Sequence, residues 1–333
     1  MDPVTQGVVG ALFAQTRGAQ HTLAKAAVIG ALAGMAPDLD VLIRSSTDPL
    51  LALEFHRQFT HSLFFIPFGG WLCSLLLYPL LGKRWQLSYR QVLLWCLIGF
   101  ATHALLDGCT TYGTKLLWPF SEQRFAWDVI SVVDPLFTLP LLLLVGCAAW
   151  FKSRVYLKWA LLWGALYLAL GVVQHQRAVA LGHALAHSRG HQVLRLEAKP
   201  SFANLVVWKV VYEANGYFYV DAVKPGLRQS QVWHGDRVQK LELQRDFPWL
   251  NPAAQQARDV ARFAETSAGY LAVDPRDPLR IGDVRYAMLP QSIAPLWGIQ
   301  LALQADLDTH VAFYSIREDA QGALKRIVHM VFE

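Results

Sequence analysis

Apolar residues gather into six long runs in the first half of the chain, at about 4–16, 22–36, 62–81, 91–106, 134–151 and 156–173. Four of these runs are about 16–20 residues long, close to the length an α-helix needs to cross the hydrocarbon core of a bilayer. The first two are shorter and rich in Gly and Ala. Such segments can span obliquely, pack as a close hairpin or re-enter the membrane, and the sequence leaves these three open. Pro67, Pro79 and Pro140 lie inside runs, where neighbouring helices re-satisfy the backbone groups that proline frees. The pattern predicts an α-helical multi-pass membrane bundle of about six apolar helices.

The periodicity changes near residue 174. Residues 175–195 read as a polar helical stalk between a membrane-embedded domain, 1–174, and a soluble α+β domain, 196–333. In that last part, Leu205-Val206-Val207-Trp208 and the residues after it lead into Asn215-Gly216 and then Tyr217-Phe218-Tyr219-Val220. Apolar β-formers on both sides of Asn-Gly predict a hairpin. Residues 252–267 alternate as a helix does. Runs near 269–274, 282–289, 296–304, 309–317 and 324–332 predict strands. No internal repeat or low-complexity segment is visible.

Composition fits this reading. Hydrophobic residues make up 54% and charged residues 17%, against about 25% charged in an average soluble domain. Mean hydropathy is +0.27 and the pI is near 9.0. The net charge of +5 points to topology rather than to nucleic acid. Three short loops hold Arg17 and Lys25; Lys83, Arg84 and Arg90; and Lys152, Arg154 and Lys158, which is eight basic residues with no acid. By the positive-inside rule these loops are cytoplasmic. The N-terminus, residues 37–61, residues 107–133 and everything after about 174 then face outward. Met1-Asp2-Pro3 lacks the basic residues of a cleavable signal, so the first apolar segment is expected to stay in the mature protein. Cys73, Cys96 and Cys147 sit in apolar runs as small hydrophobes, and Cys109 is a weak ligand candidate beside Asp107.

Six metal-binding side chains lie at or beside the ends of the apolar runs. Asp38 and Asp40 follow Pro37 where the second run stops, His56 and His61 precede the third, and His103 and Asp107 close the fourth. Ionisable groups at this depth are costly unless something pairs with them, and a divalent ion pairs with several at once. The spacing of four puts His103 and Asp107 on one helical face. Three imidazoles and three carboxylates suit zinc, or a cluster of one or two divalent ions with mixed N and O ligands. Arg57 can hold an anion in bidentate fashion, and Thr60 can orient a ligand. Lys115, Arg124 and the aromatic residues Trp118, Phe120 and Trp127 fill the outer loop, as walls of the site or as an interfacial belt. His183, His187 and His191 share one helical face, more simply a stalk face than a second metal site.

Taken together, Met1-Asp2-Pro3-Val4-Thr5, Pro37-Asp38-Leu39-Asp40, His56-Arg57-x-x-Thr60-His61-Ser62, His103-x-x-x-Asp107 and the stretch from Tyr112-Gly113-Thr114 to Pro119-Phe120-Ser121 resemble the bacterial YdjM-type family of membrane-bound metal-dependent hydrolases. The resemblance covers residues 1–175 closely and extends loosely beyond, through Gly282-Asp283-Val284-Arg285-Tyr286. It implies a multi-pass protein of the bacterial inner membrane. One position departs from the family, which commonly has His where Gln6 stands here.

The expected function is metal-dependent hydrolysis at the outer membrane–water interface, with metal-activated water attacking a phosphoester such as a phospholipid. Asp38, Asp40, His56, His61, His103 and Asp107 are the expected ligands, with Arg57 and Asp40 in catalysis. The expected partner is a membrane lipid or another anionic small molecule, not nucleic acid. The alternative is a non-enzymatic membrane protein with a structural metal site and a partner-binding C-terminal domain. Ion transport ranks last, because the ionisable residues gather at one end of the spans.

Overall fold

A computed structural model describes residues 1–226 and 229–333. The chain divides into two compact units. The first comprises Met1–Ile43, Phe55–Val172 and Phe202–Asn204, and the second Arg44–Glu54, Val173–Ser201 and Leu205–Glu333.

The first unit is helical: α1 (Pro3–Thr16), α2 (Leu23–Met35), α3 (Leu51–Phe55, at the junction of the units), α4 (Ile66–Leu77), α5 (Tyr89–Gly108), α6 (Pro135–Trp150) and the first part of α7 (Val155–Ser188). Local sequence sets the ends. Asp2 caps α1 by accepting from Thr5 N, with Pro3 in the first turn, where proline loses no helical bond. Ser88 and Gln91 form a capping box on α5. Pro37 turns the end of α2 into the 3-10 segment Ala36–Leu42, which carries Asp38 and Asp40 away from the helix axis.

Four segments are long and apolar enough to cross a membrane: Gln20–Leu42, Leu63–Gly82, Tyr89–Gly108 and Val155–Ser188. The expectation was about six. At 14 and 16 residues, α1 and α6 fall short of the roughly 20 that a perpendicular span requires. Of the three packings open to the first two runs, they form the close hairpin. Gly10 lies against the Gly30 carbonyl, and a Cβ on Gly99 of α5 would meet the same oxygen at 2.5 Å. Glycine is what lets these three backbones touch. Gly99→Val should therefore drive α2 and α5 apart at a cost of about 3 kcal/mol or more, read as aggregation on size exclusion in detergent; a monodisperse variant of unchanged thermal stability would contradict this packing.

The three basic loops meet one another. Arg154 Nη2 donates to Gly18 O at 2.6 Å, and Lys25 Nζ donates to Trp85 O at 3.0 Å. Along α5 they lie at the Tyr89 end, and His103 and Asp107 toward the other, about 21 and 27 Å along the axis.

The second unit contains two four-stranded antiparallel sheets with strands in chain order. One has β1 (Arg195–Pro200), β2 (Trp208–Ala214), β3 (Tyr217–Lys224) and β4 (Gln231–Gln239); the other has β5 (Leu271–Val273), β6 (Arg280–Asp283), β7 (Trp297–Gln300) and β8 (Ala312–Ser315). The predicted hairpin is present: Ala214 pairs with Tyr217, and Asn215 and Gly216 have φ of 53° and 77°, as a type I′ turn requires. Helices α8 (Leu243–Asp246) and α9 (Gln255–Thr266) precede the second sheet, and α10 (Ala320–Phe332) ends the chain. The strand expected at 324–332 is thus a helix. Ala323, Ile327 and Met330 are its buried residues, a spacing of four and three that makes one helical face, and Asp319 caps it by accepting from Gly322 N.

Segment 44–54 joins the second unit, which the sequence does not signal. Leu50 is buried with Phe247, Val260, Phe263, Leu271, Ile281 and Ile299. Arg262 of α9 grips the same segment, donating to both oxygens of Asp48 at 3.1 and 2.7 Å and to both of Glu54 at 2.6 and 2.9 Å. It also donates to Asp259, which pairs with His310. Arg262→Ala should free this segment, raising the rate of tryptic cleavage at Arg44 at least about tenfold, an opening cheaper by ~1.4 kcal/mol; an unchanged cleavage rate would show that Leu50 alone anchors it.

Candidate metal centre

Four side chains from three stretches of the first unit converge. His103 Nε2 and His61 Nε2 face each other at 2.8 Å. Asp38 Oδ1 lies 3.4 Å from the first and 3.5 Å from the second. Asp107 Oδ2 lies 3.5 Å from His61 Nε2 and 4.0 Å from His103 Nε2. Zinc bonds to N and O of about 2.0–2.2 Å imply tetrahedral edges of roughly 3.3–3.6 Å; three of these five separations lie in that range and the other two within about half an ångström of it. His61, His103 and Asp107 are fully buried.

The other ring nitrogens fix where the lone pairs point. His103 Nδ1 is 2.6 Å from the carbonyl oxygen of Gly34, which can only accept, so Nδ1 carries the proton. Thr60 Oγ1 donates to Asp40 Oδ2 at 2.7 Å and lies 2.9 Å from His61 Nδ1, so it accepts from that nitrogen. In the neutral rings both Nε2 lone pairs are then aimed at one point. Two lone pairs at 2.8 Å repel unless a cation, either a metal ion or the proton of a charged His61, sits between them. Burial alone pushes the His61 imidazole down, yet the carboxylates of Asp38 and Asp40 outweigh it and the net direction is upward. The field at this point favours positive charge.

Asp40 is a saturated acceptor. Its Oδ2 takes Thr60 Oγ1 and, at 3.2 Å, the backbone N–H of Arg57, and its Oδ1 lies 2.8 Å from His56 Nδ1. Asp38, Asp40 and His56 also offer ligand atoms within 4.8 Å of one another, as do Asp38, His61 and His103. Asp38 belongs to both groups. Among the described residues the further donor beside these groups is Asp107, whose Oδ2 also lies 3.1 Å from Arg57 Nε. His183, His187 and His191 do not form such a group; His191 instead pairs with the Tyr212 hydroxyl at 2.9 Å. Cys109 is outside both groups, and burial pushes its thiol up to about 11.

Arg57 has a φ of 64°, a region costly for a residue with a Cβ. This conformation aims its backbone N–H at Asp40 while its guanidinium reaches Asp107 Oδ2 at 3.1 Å and Thr110 Oγ1 at 3.0 Å, over the Tyr112 ring. Gln6 Nε2 donates to Asp107 Oδ1 at 2.8 Å, and the Met1 amino group pairs with that same oxygen. Gln6 thus positions Asp107 and does not face the two imidazoles. Lys115 pairs with Glu122, and Arg124 Nη1 donates to Gly113 O at 3.3 Å, so both brace the outer loop.

The Gly34 carbonyl, Thr110 and Met1 were not legible as parts of the site. A backbone acceptor leaves no mark in sequence, and Thr110 is one threonine among several. The only usable signal was the Gly/Ala run that brings α2 against α5.

A family model described as "YdjM inner membrane protein" matches residues 1–178, more than half of the chain. The chain belongs to the YdjM family. The match takes in every candidate ligand and ends within α7. Among curated relatives, "Uncharacterized protein YfhP" of Bacillus subtilis (strain 168) is 30% identical over 119 residues, which is 35% of this chain and 35% of the relative. "Inner membrane protein YbcI" of Escherichia coli (strain K12) is 36% identical over 111 residues, 31% of this chain and 60% of the relative. The chain therefore spans about a third and three-fifths of the lengths of these relatives. No solved structure matches. Membership of YdjM and the four apolar helices place the protein in a membrane.

Proposed function

We propose that this YdjM protein is a divalent-metal-dependent hydrolase acting on a phosphoester, such as a phospholipid, at the outer face of the inner membrane. The observation that carries the reading is the pair of imidazole lone pairs converging at 2.8 Å with Asp38 and Asp107 beside them. Zinc fits this donor set. When bound, such an ion supplies Lewis acidity and makes water acidic enough to act as a nucleophile near neutral pH. The chain's own residues do the rest. Asp40 and Thr60 hold His61 in the tautomer that presents Nε2, and Gly34 does so for His103. Arg57 fixes Asp107 and brings positive charge for an anionic substrate. The outward orientation is supported by the clustering of the basic loops at the far end of α5. Exposed Phe64 and Phe120, in edge contact at 5.7 Å, and exposed Leu117 give an apolar rim suited to a lipid.

The second reading is a structural metal site in a non-enzymatic protein. It is favoured by Asp107, whose Oδ2 lies 3.5 and 4.0 Å from the two imidazoles and would fill, beside Asp38, His61 and His103, the position that catalytic zinc sites keep open. Metal analysis of purified protein, combined with hydrolysis assays on phospholipids and nucleotide esters, separates the two. Bound metal with turnover supports the enzyme; bound metal without turnover, and unfolding on chelation, supports the structural site; protein purified without metal and unable to bind added zinc defeats both.

A further inference from the structure

We infer that α10 is an interfacial helix, whose exposed face rests on the anionic lipid surface of the membrane that the rest of the chain crosses. Only part of its apolar arc is used inside the fold: Met330 packs with Val207 and Ala222. Leu324, Val328 and Phe332 recur at intervals of four and remain exposed, Phe332 at 84%. Within its 13 residues α10 carries Lys325, Arg326 and His329 and no acid, with Arg326 paired at 3.2 Å to Asp319 before it and His329 at 3.7 Å to Glu333 after it. A basic polar face beside an apolar stripe is the makeup of helices that lie in the plane of an anionic interface.

The surroundings of α10 set its level. In α7 the apolar sequence ends at Val172-Val173 and turns polar at Gln174-His175-Gln176-Arg177, where a spanning helix leaves hydrocarbon. Gln174 Nε2 donates to Leu205 O and Pro225 O at 3.4 and 3.5 Å, and Arg177 donates to Gly226 O. Immediately before Pro225, Lys224 Nζ donates to Val331 O at 2.9 Å. The last turn of α10 is therefore tied, within a single unit, to the chain that α7 holds at its exit from the bilayer. An exposed Phe at that level meets headgroups rather than bulk water, and Lys and Arg stems can reach from there to lipid phosphates.

The test uses the full chain in nanodiscs of phosphatidylethanolamine and phosphatidylglycerol. Spin labels are placed one at a time at Val328→Cys, Phe332→Cys and Arg326→Cys, in a background with Cys73, Cys96, Cys109 and Cys147 replaced by serine or alanine. Oxygen, which partitions into lipid, should relax the labels at 328 and 332 more than a water-soluble nickel chelate does, and the order should reverse at 326. A label at 328 relaxed mainly by the chelate overturns the inference, because the stripe then faces water. A label shielded from both reagents also overturns it, because protein then covers the stripe. Hydrogen exchange on the unmodified chain avoids the substitutions: α10 amides should exchange more slowly in phosphatidylglycerol-containing discs than in pure phosphatidylcholine, and equal rates would count against docking to anionic lipid.

Discussion

Purified His103→Ala protein should carry less than about a tenth of the divalent metal found in the unchanged protein, which should hold about one ion per chain between Asp38, His61 and His103. The effect is large because the substitution acts twice. It deletes one of two nitrogen donors, and it leaves the buried Asp107 and the partly buried Asp38 with less positive charge to balance them once the ion is lost. Hydrolysis, if the centre is catalytic, should vanish with the metal. A graded control comes from Thr60→Val. Thr60 touches no ligand atom aimed at the centre; it accepts from His61 Nδ1 and donates to Asp40. Losing such an orienting group costs about 10–100-fold in metal affinity, so metal should be retained at saturating zinc and lost on dilution. Equal metal content in all three proteins would mean that the ion binds elsewhere.

The second large effect lies in the second unit and has a defined sign with pH. Lys209 of β2 is 5% exposed and donates to Ser292 O at 2.6 Å, and burial pushes its ammonium down to about 7 from an ordinary 10.5. Below pH 7 the lysine is charged in both folded and unfolded chains, so the full cost of burying that charge is present. As pH rises from 7 to 10.5 the folded state sheds the proton first, and stability should increase by up to about 4–5 kcal/mol. Lys209→Met removes the cost at every pH. Its unfolding midpoint at pH 6.5 should rise by roughly 10 °C for a domain of this size, and the gain should shrink toward pH 10. The neighbouring Trp208, fully buried, provides the fluorescence readout. Melting curves that differ by the same amount at pH 6.5 and pH 9.5 would show that Lys209 does not titrate this way.

Much of the helical half was legible because its signals are local. Run length, caps and prolines mark α4, α5 and α7, and the convergence of Asp38, His61, His103 and Asp107 follows from each standing at a run end on one face of the bundle. The number of spans was less legible: α1 and α6 are apolar throughout, yet their shortness matters only against a bilayer's thickness. Individual roles depended on third partners. Asp40 reads as a ligand until Thr60, Arg57 N and His56 are seen to occupy its oxygens, and Gln6 reads as a replaced ligand until its bond to Asp107 is seen. In the soluble half the Asn-Gly turn was plain, because its two positive φ angles demand those residues. The terminal helix was misread as a strand because Ile327-Val328 and Val331-Phe332 are β-formers, and tertiary burial of Ala323, Ile327 and Met330 overrode that propensity.

The excursion of segment 44–54 bears on the order of events during synthesis. The loop leaves just after Asp40 and returns just before His56, and its anchor on Arg262 lies 214 residues beyond Asp48 and 208 beyond Glu54. A ribosome adding about 5–20 residues per second takes on the order of 10–40 s to make that stretch. Throughout that time the loop has no clamp. Completion of the second unit is what supplies Arg262, so segment 44–54 gains its clamp only once that part of the chain has been made.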